Sequence, residues 1–264
     1  MRIMHYNFGT YPYEATGEPA PIKWRVLLKQ EKSALLITEY GIDALPFFKA
    51  PPAPLSARVW NSDKDDPNHI ENLAAKKSPR VFDENGNVYV DVFGKPITDK
   101  RYKGFPLWYA VTWENSTLRS FLNETFINTA FTSEERARLI SLNVRNLPSP
   151  INQACSSGPD TQDSVAILDI ENAKRYFPQA AQRKCLPTPY AESREGFFHH
   201  SDGFASWWLR TAGVWEQFNP KEDFRPANKH CISIVANDGI IDLMGMSAET
   251  VRCVRPIIHV RLKK

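Results

Sequence analysis

The four cysteines are the residues of this sequence with the widest range of possible reactions, because a thiolate can act as a nucleophile or bind a soft metal ion. They lie at positions 155, 185, 231 and 253, and no two of them form a C-x-x-C pair. That spacing argues against a structural zinc site. Cys231 and Cys253 both fall in predicted β segments and could be neighbours, in which case they could hold Cu(I). We favour the simpler interpretation that all four are buried, reduced thiols.

The other reactive residue types do not form a recognisable catalytic or metal-binding motif. His199 and His200 are adjacent, and neighbouring side chains on an extended segment point in opposite directions, so the pair is poorly suited to share one ion. Calcium takes about six to eight oxygen ligands, and Glu114-Asn115 is only a fragment of such a set. We therefore expect no catalytic residue, no bound metal and no cofactor.

Arg210 and Arg255 stand among apolar residues of predicted strands. A buried guanidinium needs a partner, because an uncompensated charge in the interior costs several kcal/mol. The carboxylates that could serve are Glu114, Asp163 and Asp242. We favour a structural ion-pair network over a ligand-binding role for these five residues.

The segment from Ala212 to Met246 is the best candidate for a recognition surface. It combines aromatic residues, methionines and polar residues with turn-forming residues, a mixture that suits adaptable binding from loops on a fixed scaffold. The candidate ligand-binding residues are Trp215, Phe218, Asn228, His230, Asn237, Asp238, Met244 and Met246. The alternative is that about half of them belong to the core.

Composition places the chain among ordinary globular proteins. It has 264 residues, of which 42% are hydrophobic and 24% charged, which excludes a disordered chain. The net charge of +3 is too balanced for a nucleic-acid-binding surface. No apolar run approaches the ~20 residues of a membrane span, and the first residues do not resemble a secretory signal. We expect a cytoplasmic protein that binds neither nucleic acid nor membrane.

Local patterns predict strands at both ends and helices in the middle. Residues 22–28 and 33–38 read as a β-hairpin, and residues 8–12 before them as an irregular arm. A first helix is predicted after a cap at Asn115 or Ser116. A second starts at Thr132, which forms a capping box with Glu135, and its apolar side reaches residue 140. Two more are predicted after Asp169 and at Pro189. The predicted core comprises Trp24, Leu36, Leu118, Phe121, Leu122, Trp207 and Leu209.

The remaining segments complete an α+β domain over residues 1–264. Residues 49–107 read as an insertion, with a hairpin turn at Asn85-Gly86. A second hairpin turns at residues 236–239, and residues 250–262 form a closing strand interrupted at Pro256, which cannot donate to a ladder. We expect this closing strand to share a sheet with residues 24–28, because a lone hairpin is marginal in water.

Several blocks resemble a bacterial domain family of unknown function, which occurs alone or attached to surface proteins. The most specific blocks are WENSTLR at residues 113–119, WWLR at 207–210 and VRP at 254–256. That family is similar to C-type-lectin-like folds, which include formylglycine-generating enzymes and the variable proteins of diversity-generating retroelements. The resemblance implies an α+β fold with paired chain ends, and a binding face in the C-terminal region. It implies no settled activity.

Three functional hypotheses follow. The first is a non-enzymatic module that binds an unknown protein or small-molecule ligand. The second is an oxidoreductase related to formylglycine-generating enzymes. The third is a structural accessory subunit that docks through the insertion at 49–107.

Overall fold

A computed structural model of the chain describes residues 4–49, 111–151, 155, 157–215 and 230–263. These residues form a mixed α+β structure with many strands and few, short helices. The predicted insertion, apart from its first residue, Lys49, lies outside the described residues, and so does its hairpin turn.

The strands are short and are numbered in chain order. In the described residues they are β1 (His5–Pro12), β2 (Pro19–Lys29), β3 (Ser33–Thr38), β4 (Asp43–Pro46), β5 (Leu139–Ile140), β6 (Leu142–Val144), β7 (Thr161–Asp163), β8 (Val165–Ala166), β9 (Trp207–Trp215), β10 (His230–Val235), β11 (Ile241–Ser247), β12 (Val251–Val254) and β13 (Ile257–Arg261).

The first sheet joins the two ends of the chain. Its order is β1-β2-β3-β13-β5, with β8 also paired to β13. The hairpin of β2 and β3 is antiparallel, with Val26 opposite Leu36, and β13 pairs antiparallel with the other edge of β3, with Val260 opposite Ala34. The predictions of an N-terminal hairpin and of a sheet shared by both ends are confirmed.

The second sheet also takes strands from both ends, in the order β11-β10-β9-β12-β4. Strand β12 runs parallel to β9 and antiparallel to β4. Because β12 belongs to this sheet and β13 to the first, the prediction of a single closing strand is wrong. Arg255 and Pro256 form the crossing between the sheets, and the missing N–H of Pro256 is consistent with a break in the ladder there.

The predicted N-terminal arm is a strand. Residues of β1 pair with β2 on both sides of a register shift between Asn7 and Thr10. The carbonyl of Phe8, inside that shift, accepts a 2.7 Å hydrogen bond from the buried indole nitrogen of Trp24. A bulge of this kind breaks the alternating pattern by which strands are recognised in a sequence.

The helices are short, and four of them begin after predicted cap residues. They are α1 (Thr117–Ser120), a π-helical segment (Phe121–Phe126), α2 (Ile127–Ala130), α3 (Ser133–Arg136), α4 (Ile170–Tyr176), α5 (Ala180–Arg183) and α6 (Pro189–Glu192). Side chains of Ser116, Thr132, Asp169 and Thr188 cap α1, α3, α4 and α6, and Thr132 and Glu135 form the predicted capping box. Among the described residues, no helix is long and apolar enough to cross a membrane.

Helix α3 is shorter than expected. The apolar residues Leu139 and Ile140 were predicted to form part of its inward side, but they form β5 and pair with β13. Tertiary pairing with an available strand therefore outweighs the local helical pattern.

One hydrophobic core connects the two sheets with the helices. Six of the seven predicted core residues are at most 1% exposed, and the seventh, Phe121, is half-buried against the same cluster. Trp207 and Trp24 are both fully buried in this cluster. The prediction of a core organised by large aromatic rings is confirmed.

Candidate functional site

The turn between β10 and β11 carries two of the predicted recognition residues, Asn237 and Asp238. Its backbone is anchored, since Arg183 donates from Nε to the carbonyl of Gly239 at 2.8 Å. Gly239 has a φ of +86°, and a Cβ there would collide with the carbonyl of Ala180. Asn237 donates from Nδ2 to the carboxylate of Asp202 at 3.2 Å. The turn is therefore held in one position against α5 and the loop at Asp202.

Two apolar side chains are exposed here, that of Met244 in β11 and that of Ile240 directly before β11. Ile240 and Met244 are 58% and 61% exposed, whereas Met246 is half-buried and packs against the core. The carboxylate of Asp242 accepts hydrogen bonds from the backbone N–H groups of Met244 and Gly245, at 2.9 and 3.0 Å. These bonds hold β11 where its register with β10 shifts. We call the exposed side chains of Asp238, Ile240 and Met244, with Asn237, the β10–β11 surface.

The other predicted recognition residues are only partly placed. Trp215 and His230 lie opposite each other where β9 and β10 end. Phe218 and Asn228 lie outside the described residues. The structure thus brings Asn237, Asp238 and Met244 to one hairpin.

Arg210 forms an ion pair with Asp169, which is not among the three carboxylates considered from the sequence. The guanidinium also donates to the carbonyls of Ile167 and Arg145, at 2.6 and 3.1 Å, and to Oδ1 of Asn146 at 3.2 Å. Burial lowers the pKa of Arg210, and the charge of Asp169 opposes that shift. Asp169 therefore has two roles, because the same carboxylate caps α4 through the N–H of Asn172.

Asp163 ties the WENSTLR block to β7. Its fully buried carboxylate accepts hydrogen bonds from Nε1 of Trp113 at 2.8 Å, Nε of Arg119 at 2.7 Å and the hydroxyl of Thr161 at 2.8 Å. Glu114, also proposed as an ion-pair member, is exposed, and its carbonyl accepts from Arg119. The carboxylate of Asp242, the third proposed partner, accepts backbone hydrogen bonds within β11 and pairs with neither arginine. The block is thus a structural junction.

Arg255 is fully buried and is held by carbonyl groups and aromatic rings. Its Nε and Nη2 donate to the carbonyl of Thr38 at 3.2 and 2.8 Å. The guanidinium carbon lies 4.9 Å from the ring centroid of Trp207 and 5.6 Å from that of Phe177. Burial lowers the pKa of Arg255. This residue fixes the crossing between the two sheets.

Cys185, not Cys231, is the neighbour of Cys253. A Cβ on Gly41 would lie 2.6 Å from Sγ of Cys253 and 3.7 Å from Sγ of Cys185, so both thiols flank the same backbone position. All four cysteines are buried. Burial raises the pKa of both Cys185 and Cys253, which disfavours their thiolate forms. In the described part of the chain, no group of three His, Cys, Asp or Glu residues is arranged to hold a metal ion.

A cleft beside β1 and β2 was missed by the sequence reasoning. It is shallow, with a cavity volume of about 40 Å³, and its walls include Tyr11, Tyr13 and Tyr40. The hydroxyl of Tyr11 donates to Asp43 at 2.7 Å, and Arg194 holds the second oxygen of that carboxylate at 3.0 Å. Burial raises the pKa of Asp43 in spite of these partners. In the sequence, the segment Tyr11-Pro12-Tyr13 is the one indication of this cleft. The cleft forms when the fold places Tyr40 beside this segment.

Glu39 gives the protein a specific dependence on acid pH. Burial alone would raise its pKa, but hydrogen bonds and charge from Arg25, with His5, outweigh this and lower the pKa from 4.5 to about 2. A carboxyl with a lowered folded-state pKa stabilises the fold above its unfolded pKa, and that contribution is lost as the pH falls through the folded value. We expect Glu39→Gln to lower the free energy of unfolding at pH 6, and the difference from wild type to shrink between pH 4.5 and pH 2.

Urea denaturation at a series of pH values measures this difference. Glu31→Gln, at an exposed turn position, is the matched control. A difference between wild type and Glu39→Gln that stays constant down to pH 2 would contradict the assignment of the stabilisation to the Glu39 carboxylate.

Comparison with known proteins assigns the chain to a family without assigning an activity. No curated protein and no solved structure matches it. A family model described as a domain of unknown function (DUF6273) matches residues 97–262, which is more than half of the chain. The matched segment contains the WENSTLR block, the ion pair of Arg210 with Asp169, and the β10–β11 surface, and the chain belongs to the DUF6273 family.

Proposed function

We propose that the chain is a non-enzymatic binding module with a C-type-lectin-like fold, and that it binds a protein or small-molecule ligand through the β10–β11 surface. The observation that carries the proposal is the exposure of Ile240 and Met244 on a hairpin whose backbone is anchored. Large apolar side chains on a fixed backbone suit binding to a complementary apolar group, because their removal from water is favourable.

The topology supports the comparison with C-type-lectin-like proteins. Strands from both chain ends share each sheet, and β10 and β11 form one edge of the second sheet. The retroelement variable proteins, which belong to the fold group that the family resembles, bind through their C-terminal region. The hairpin is the corresponding region here, and side chains on its outer side can vary without disturbing the sheet beneath.

The use of the buried polar groups also favours binding over catalysis. Asp163, Asp169 and Arg210 are saturated by partners within the fold. These three groups stabilise a scaffold, because their hydrogen-bonding capacity is already used. Arg255 also donates to carbonyls of the chain itself, although its buried Nη1 has no hydrogen-bond partner among the described residues.

An oxidoreductase related to formylglycine-generating enzymes is the second candidate. The observation in its favour is the closeness of Cys185 to Cys253 beside Gly41. Metal binding and nucleophilic attack both use the thiolate form. Because burial raises the pKa of both thiols, these residues favour the binding module. The accessory-subunit hypothesis depends on residues 49–107. It is tested by deleting these residues and measuring whether a stably bound partner protein is lost in a pull-down.

Selection of peptides on the β10–β11 surface tests the proposal. A phage-displayed library of random 12-residue peptides is panned against the immobilised protein and depleted against Ile240→Asp/Met244→Asp. We expect enriched peptides with large apolar residues, and a loss of affinity of about tenfold or more in the double variant, since a central apolar contact is worth more than 1 kcal/mol.

Leu28→Asp is the matched control, because Leu28 is 43% exposed on β2 in the other sheet. It should bind the enriched peptides as the wild type does, and all variants should melt within a few degrees of it. Peptides that bind the double variant equally well would refute the assignment of the surface.

A further inference from the structure

The cleft beside β1 and β2 is separate from the β10–β11 surface. Its lining comes from β1, β2 and the segment that leads into β4, with Thr188 at the start of α6. Strand β4 and strand β11 are the opposite edges of the second sheet. A ligand in the cleft would therefore contact residues that the proposed function does not use.

Flat aromatic and proline rings make up much of the cleft. The rings of Tyr13 and Tyr40 meet edge to face, with centroids 6.3 Å apart. Tyr11 is fixed behind them by its hydrogen bond to Asp43 and by its ring contact with Tyr190, at 5.9 Å. Pro12 and Pro21 complete these walls. The walls are thus preformed, and binding would cost little side-chain entropy at Tyr11.

Three hydrogen-bond donors of the cleft are unused. In the part of the chain that the structure describes, the hydroxyls of Tyr13 and Tyr40 and the amine of Lys23 make no hydrogen bond or ion pair. Tyr13 and Tyr40 are half-buried, and Lys23 is exposed. Lys23 is the single charged residue in the described lining. The cleft therefore offers donors and one positive charge.

The shape of the cleft favours an extended chain over an enclosed small molecule. Small-molecule sites bury most of the ligand surface. Here Pro21 and Lys23 on one wall are exposed, so the cleft is open along that side. A polyproline II segment has three residues per turn and no internal hydrogen bonds, so its carbonyls remain free to accept from a surface. Its rings pack on aromatic side chains, and it loses little entropy on binding because it is already extended.

We propose that this cleft binds a proline-rich peptide in the polyproline II conformation, with an acidic residue of the peptide beside Lys23. The prolines pack on Tyr13 and Tyr40, and the peptide carbonyls accept hydrogen bonds from the two tyrosine hydroxyls. The positive charge of Lys23 selects for the acidic residue and sets the direction in which the peptide lies.

The test uses the chain of residues 1–264 and an array of fluorescein-labelled 12-residue peptides. Each peptide contains Pro-x-x-Pro, with Asp or Glu placed at each flanking position in turn, and each has a partner in which both prolines are alanine. We expect the proline peptides to bind in fluorescence anisotropy, and their alanine partners to bind about tenfold more weakly or not at all.

Variants of the cleft residues separate the contributions that the aromatic rings, the hydrogen-bond donors and the positive charge make to peptide binding. Tyr40→Ala should weaken binding about tenfold, and Tyr13→Phe, which keeps the ring, should weaken it less. Lys23→Gln should remove the preference for an acidic flank. Tyr176→Ala, on α4 and outside the cleft, is the matched control, and Met244→Asp should leave this binding unchanged, which separates the outcome from that of the proposed function.

Two results would overturn the proposal. One is binding of the proline peptides that survives in Tyr40→Ala. The other is that no peptide of the array binds but benzoate does. Benzoate binding is detected by NMR chemical-shift changes in the cleft, and Lys23→Gln should abolish these changes. The second result would identify a site for small aromatic carboxylates instead.

Discussion

A fragment of residues 97–264, which includes the whole family-matched segment, will fail to fold cooperatively. Without residues 4–49, β13 loses its partner β3 and β12 loses its partner β4. The fragment also lacks four side chains that are fully buried in the core, namely Trp24, Leu36, Ile37 and Phe47. Burial of each contributes about 1.5–3 kcal/mol, so their combined loss is comparable to the total stability of a typical domain, about 5–15 kcal/mol.

Thermal melts followed by circular dichroism, together with amide NMR spectra, measure this effect. A chain of residues 1–262 is the control and should melt like the chain of residues 1–264. Addition of residues 1–49 as a separate polypeptide should restore part of the folded signal. A cooperative transition with dispersed NMR signals from residues 97–264 alone would show that the N-terminal strands are dispensable.

Removal of the Asp169 carboxylate will produce the largest loss expected from a single substitution at a polar residue. Asp169→Ala leaves the buried guanidinium of Arg210 without its counter-charge, which typically costs about 3–5 kcal/mol. It also removes the N-cap of α4, worth about 1 kcal/mol. Urea denaturation gives the change in the free energy of unfolding.

Asp169→Asn separates the two contributions, because asparagine caps helices as well as aspartate does. We expect Asp169→Asn to lose most of what Asp169→Ala loses. The double variant Asp169→Asn/Arg210→Met should recover part of that loss, since no unpaired charge remains. If Asp169→Asn were nearly as stable as wild type, the cap would be the main contribution and the ion pair a minor one.

Features encoded by neighbouring residues could be predicted from the sequence. Thr132 caps its helix and Glu135 closes the capping box, both within four residues. The turn at Gly239 needs a positive φ, which a glycine after Asn237-Asp238 signals. In these cases the interacting groups are close along the chain, so the physical reason for the structure is visible in a short window.

Features that depend on distant pairing could not be predicted in the same way. The apolar patterns on the two sides of Pro256 are similar, and no neighbouring residue indicates that the two strands belong to different sheets. Asp169 was assigned as a helix cap, and its second partner, Arg210, lies 41 positions away. Likewise, Tyr40 joins Tyr11 and Tyr13 only because β2 and β3 return the chain to β1. Partner choice in a sheet is a property of the whole fold.

The crossing at Arg255 and Pro256 also constrains when the protein can fold during synthesis. Strands β3 and β4 emerge from the ribosome long before their partners β13 and β12, because residues 47–250 lie between them in the chain. Both sheets therefore stay incomplete while those intervening residues are translated, with apolar strand edges open to other chains. Pairings of such long sequence separation form slowly. The nascent chain is thus most vulnerable to aggregation in the interval before residues 251–261 leave the exit tunnel, and a chaperone that covers β3 would act in that interval.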